Sequence, residues 1–96
     1  MTNTLMAGKR GLIMGLANDK SIAWGIARAC ADAGAELAFS YQGEALKKRV
    51  GPLAGQLGSD LVLPCDVADE ASIDALFAEL KERWGRLDFL VHAIAY

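Results

Sequence analysis

The residues best placed to do chemistry are Gly15, Ser21, Ile22 and Gly25, in the stretch Gly15-Leu16-Ala17-Asn18-Asp19-Lys20-Ser21-Ile22-Ala23-Trp24-Gly25. An apolar strand-like run, Gly11 to Met14, precedes it, and a helix-like run, Ile22 to Ala33, follows. A strand, a glycine turn and a helix start together can hold a pyrophosphate. Gly15 permits a turn that a side chain would block. Ser21 is a good N-cap, and the unpaired N–H groups of the first helical turn, at the positive end of the helix dipole, attract anions. The spacing is one Gly, five residues, then Ser-x-Ala-x-Gly, which differs from the Rossmann G-x-G-x-x-G. An ordinary βα turn with a serine cap satisfies the same pattern, so both readings stand at this point.

The surrounding chain must position that turn. After a short, poorly ordered lead-in over Met1 to Ala7, the first strand is expected over Lys9 to Met14. The first helix is expected over Ser21 to Ala33, with Ile22, Ile26, Ala29, Cys30 and Ala33 on its buried face and Gly34 as its stop. Glu36 to Tyr41 reads as a strand, and Gln42-Gly43 as a turn. Glu44 to Leu57 reads as a helix that Gly51-Pro52 should kink or break, with Gly58 closing it. Asp60 to Pro64 follows as a strand.

Asp69 is placed to cap a third helix, whose Ile73, Leu76, Phe77, Leu80 and Trp84 form the clearest amphipathic pattern in the chain. Glu79 and Arg83 make an i,i+4 pair on its wet side, and Gly85 ends it. Arg86 to His92 is the fourth strand. The order β-α-β-α-β-α-β with short connections predicts a parallel sheet with right-handed crossovers. The expected fold is α/β: the first half of a Rossmann-type doubly wound sheet, strand order 3-2-1-4. Gly15, Gln42, Asp66 and Ala93 to Ala95 then lie just past four strand ends around one crevice, which favours the dinucleotide reading.

Composition narrows the function classes. A hydrophobic fraction of 53% over 96 residues indicates one folded domain rather than a disordered chain. The net charge of −2 argues against a nucleic-acid partner held through phosphates. No apolar run approaches the roughly 20 residues that span a bilayer, and no secretory signal is evident, so a cytoplasmic location is expected. Cys30 and Cys65 read as buried thiols, not as a disulfide or metal pair, and no metal site is expected.

On the turn Gly15…Ser21-Ile22-Ala23-Trp24-Gly25, the run Gly34 to Gln42, Cys65-Asp66-Val67, and Leu90-Val91-His92-Ala93-Ile94-Ala95, the chain resembles the N-terminal part of the bacterial enoyl-acyl-carrier-protein reductases. These form a divergent branch of the short-chain dehydrogenase/reductases. The resemblance runs from about Gly8 to Tyr96. It implies reduction of the trans-2 double bond of an acyl chain carried on acyl carrier protein in fatty acid biosynthesis, with hydride from NADH. A Tyr hydroxyl and the cofactor ribose would stabilise the enolate.

By the same resemblance, Gly15, Ser21 and Ile22 contact the pyrophosphate and adjacent groups, and Gln42 the adenosine ribose. Asp66 accepts from the adenine amino group, Val67 flanks the ring, and Ile94 lies against the cofactor. His92 reads as structural. Ala93 and Ala95 stand where members of the family often have Ser and Gly. The family's Tyr-x6-Lys pair lies downstream of Tyr96, so no catalytic residue is expected within residues 1–96, and the domain is expected to be incomplete at its C-terminal side. A homotetramer is implied for the complete protein. A non-catalytic dinucleotide-binding module, or a short-chain reductase acting on a free carbonyl, are the alternatives.

Overall fold

A computed structural model describes residues 5–15 and 22–92. Its elements are β1 (Arg10–Met14), α1 (Ile22–Asp32), β2 (Glu36–Tyr41), α2 (Glu44–Gln56), β3 (Val62–Pro64), α3 (Glu70–Trp84) and β4 (Phe89–His92). The sheet is parallel, as the alternation of elements predicts, and has the order β3-β2-β1-β4 expected of a Rossmann-type half. Met14 pairs with both Ser40 and His92, and Tyr41 with Pro64, so the carboxyl ends of the strands lie along one edge.

Strand side chains alternate between the two faces. On one face Ile13, Leu37 and Phe39 pack under α1 and α2 with Ala23, Trp24, Ala27, Val50 and Ala54. On the other, Leu12, Met14 and Ala38 pack under α3 with Leu61, Cys65, Leu76 and Leu80. β1 and β2 are covered on both sides, which is why they read as continuous apolar runs. β3 is an edge strand. Cys65 N–H donates to the Tyr41 carbonyl at 2.8 Å, so alternate N–H groups point away from β2. Pro64 occupies that outward phase, where no ladder hydrogen bond is lost.

Helix ends follow the sequence signals. Asp69 caps α3, its carboxylate accepting from Ala71 N–H at 3.1 Å. Gly34, Gly58 and Gly85 end the three helices at φ of 98°, 78° and 78°, the left-handed region that other residues enter at a cost. Glu79 accepts from Arg83 Nε at 2.8 Å.

Several expectations are corrected. The buried side of α1 is Ala23, Trp24 and Ala27, whereas Ile22 is 78% and Ile26 36% exposed. This helix is apolar almost all round, so two stripes fit its period, and the one that turns inward carries Ala23 and Ala27 with Trp24. Of the kink or break expected at Gly51-Pro52, the break does not occur: α2 continues through Pro52. The N–H that Pro52 lacks would have bonded Lys48, an exposed residue whose carbonyl water can reach. β3 starts at Val62 rather than Asp60. β4 starts at Phe89 rather than Arg86, because Asp88 bonds β1 with its carboxylate as well as its backbone. Leu5 to Gly8 form a turn tied to the α1–β2 connection, Met6 N–H donating to the Ala33 carbonyl at 2.8 Å. The expected lead-in over Met1 to Ala7 is therefore anchored at its described end.

Candidate functional site

Gly15 follows β1 directly at φ 102°, a conformation that favours glycine. Gln42 follows β2, and Asp66 lies two residues past β3. By strand register Gly15 stands level with Tyr41, and Gln42 level with Cys65. The three residues therefore line one edge of the sheet on three adjacent strands. Ser21 and Ile94 lie outside the described residues, as do Ala93 and Ala95.

Each described residue is available in a different way. Ile22 opens α1 with its side chain 78% exposed. Gln42 is exposed and makes no hydrogen bond among the described residues. Gly43 behind it, at φ 87°, is the N-cap of α2 and offers no side-chain cap; Glu44 stands in the first turn. Lys47 and Lys48, the nearest cations along the chain, are exposed one turn further on.

Asp66 is the most elaborately held. Its Oδ1 accepts from Ala68 N–H at 3.0 Å, closing an Asx turn. Its carbonyl accepts from Asp69 N–H at 3.0 Å, and its own N–H donates to Ser72 Oγ at 2.8 Å. The helix cap belongs to Asp69, so Asp66 Oδ2 remains without a partner among the described residues. Val67 is half-buried against the α3-side cluster and presents an apolar rim. Cys65, beneath the loop, is a buried free thiol whose pKa is raised first by burial, with the Asp66 charge adding and a Ser72 hydrogen bond opposing.

The amino edge of the sheet is different. There a cavity of about 370 Å³ is bordered by Glu36, Leu37, Leu57, Ser59, Asp60 and Arg83. Many of the charges at that edge bond one another. Arg10 Nε donates to Glu36 at 3.2 Å, its guanidinium also donates to the Trp84 carbonyl, and it lies 5.8 Å from the Trp84 ring centroid. Arg10 N–H and Arg86 Nε donate to Asp88 Oδ2 at 2.8 and 3.1 Å, which holds that carboxyl below the usual range. Arg86 also donates to the Gly8 carbonyl. These bonds tie the start of β4 and the end of α3 to β1. At the amino edge Arg10, Glu36, Arg86 and Asp88 are engaged in structure, though Asp60 is not; at the carboxyl edge Gln42 and Asp66 Oδ2 are open among the described residues.

Two features were missed by sequence reasoning. Ser72 is one; its place three residues after the Asp69 cap was a signal, but Asp66 as its partner was not evident. The packing of the Phe89 ring over Gly11 is the other. Among the described residues no cluster of His, Cys, Asp and Glu could hold a metal, and no helix is long and apolar enough to cross a membrane.

A parallel sheet in the order 3-2-1-4, wrapped on both faces, with its open polar groups just past the strand ends, places the chain among the Rossmann-type doubly wound proteins. The chain belongs to the enoyl-(acyl carrier protein) reductase family, whose model matches residues 15–96. It is 66% identical over 98% of its length to an NADH enoyl-acyl-carrier-protein reductase of Rhizobium meliloti, of which it covers 35%. It is 52% identical over its whole length to the corresponding reductase of Rickettsia bellii, of which it covers 37%. The structure of the Anaplasma phagocytophilum reductase in complex with NAD matches with a TM-score of 0.94 and 57% identity, over 99% of this chain and 36% of that one. The chain thus spans about a third of the length of the curated relatives it matches.

Proposed function

We propose that residues 1–96 form the cofactor-binding part of an NADH-dependent enoyl-acyl-carrier-protein reductase. The observation that carries this reading is the alignment of Gly15, Gln42 and Asp66 along the carboxyl edge, with Gln42 and Asp66 Oδ2 unpartnered among the described residues. An adenosine diphosphate moiety needs what these residues offer. The Gly15 turn brings backbone close to a pyrophosphate, with Ser21 and Ile22 beside it. Gln42 can both donate to and accept from the ribose hydroxyls. Asp66 Oδ2 can accept from the adenine amino group, with Val67 against the ring. Ile94 would lie against the cofactor. When bound, NADH supplies the hydride; the chain's own residues bind and orient it.

The complete protein would take enoyl-acyl-carrier protein as substrate, in fatty acid biosynthesis, as a cytoplasmic homotetramer. The catalytic Tyr and Lys would lie beyond residue 96. Two proteins test this: the full-length protein and the 96-residue chain. The first is expected to oxidise NADH only when an enoyl thioester is added, and the second to show no such activity. A full-length protein that binds NADH without oxidising it would favour the non-catalytic module. Activity of the 96-residue chain would overturn the placement of the catalytic pair.

A further inference from the structure

We propose that Ser72 is a positioning residue for cofactor recognition, acting through Asp66. The inference rests on the adenine-binding reading of Asp66. β3 is the edge strand, and beyond Cys65 the backbone leaves the sheet. Asp66 N–H therefore points away from β2, where no further strand lies among the described residues to accept it. Ser72, in the first turn of α3, provides the acceptor at 2.8 Å. One side chain of α3 thus holds the backbone of the loop that follows β3.

The consequences converge on one atom. With the N–H on Ser72, the carbonyl on Asp69 and Oδ1 on Ala68, Asp66 keeps Oδ2 as its open acceptor. Rotation about the Asp66 backbone is restrained at both ends, and its carboxylate is fixed by the Asx turn. Removing the Ser72 hydroxyl leaves Asp66 N–H without its acceptor and frees the loop to re-aim the carboxylate. The proposed adenine contact then has to be bought back from a mobile loop, so binding weakens on the adenosine side alone.

The test uses the full-length protein and measures dissociation constants by titration. Ser72→Ala is expected to weaken NADH and ADP-ribose by about three- to tenfold, the worth of one imperfectly replaced hydrogen bond. Nicotinamide mononucleotide binding should be unchanged, a split that general loosening of the fold would not produce. Ser72→Thr, which keeps the hydroxyl, should restore ADP-ribose binding. In an Asp66→Ala background, Ser72→Ala should have no further effect. If Asp66→Ala weakens ADP-ribose but Ser72→Ala does not, or if the two losses add, the role given to Ser72 is wrong. If Asp66→Ala itself leaves ADP-ribose binding unchanged, the adenine reading of Asp66 fails, and this proposal with it.

Discussion

Replacing Gln42 with Arg in the full-length protein is expected to raise kcat/KM for NADPH relative to NADH by about ten- to hundredfold, the range of one charge-assisted hydrogen bond. NADPH differs from NADH by a 2′-phosphate carrying about two negative charges. Enzymes that use it place an Arg or Lys near the end of the second strand. Here β2 ends in Tyr41, followed by Gln42 and Gly43, and the first turn of α2 carries Glu44, which repels a phosphate. Gln42 can satisfy a ribose hydroxyl but cannot neutralise a phosphate. Lys47 and Lys48 are exposed one turn along α2 and would have to leave solvent to reach back. The unmodified protein should therefore prefer NADH. A wild type that prefers NADPH would refute the assignment, and an unchanged preference in the variant would refute the role of Gln42.

The Gly11→Ala substitution should destabilise the fold by about 1–3 kcal/mol, the usual range for overpacking a core. At an open strand position the same change would be favourable, because Gly loses more backbone entropy than Ala. The sign reverses here because a Cβ on Gly11 would stand 2.0 Å from the Phe89 Cζ atom. The two residues are register partners across β1 and β4, and the ring fills the space the missing side chain leaves, on the α1 and α2 face. An added methyl must push the ring outward, away from the cluster of Ile13, Leu37 and Phe39. Urea unfolding followed by the fluorescence of Trp24 and Trp84 measures the effect. In a Phe89→Ala background the penalty should disappear, which separates the clash from any general intolerance. A Gly11→Ala protein as stable as wild type would contradict this packing.

These two residues show what a sequence carries and what it does not. The Asp69 cap, the Glu79–Arg83 pair and the face of α3 were legible, because each depends on local chemistry or on one unambiguous period; strand order was legible only through the doubly wound pattern that the β-α alternation suggests. The face of α1 was not. Ile22, Ile26 and Ala29 are as regular a stripe as Ala23, Ala27 and Cys30, and only contact with the sheet chooses between them. Gly11 was read as part of an apolar strand, since its partner Phe89 is remote in sequence. In the candidate site, Gly15, Gln42 and Asp66 were legible as residues just past strand ends. Ser72 was not, because its value lies in an outward-facing N–H that exists only once β3 is known to be the sheet edge. Ile22 matters most for function: its period placed it on the packed face of α1 and the resemblance placed it by the pyrophosphate, and it stands open at the start of α1.

The central claim is that the carboxyl edge, rather than the amino-edge cavity, receives the adenosine half of NADH. Hydrogen-exchange mass spectrometry of the full-length protein with and without NADH tests it most directly. Peptides containing Gln42 and peptides spanning Asp66 to Ala68 should gain protection, and those spanning Leu57 to Leu61 should not. Protection confined to Leu57–Leu61 and Arg83, with none at Gln42 or Asp66, would place the ligand at the opposite end of the sheet and contradict the account.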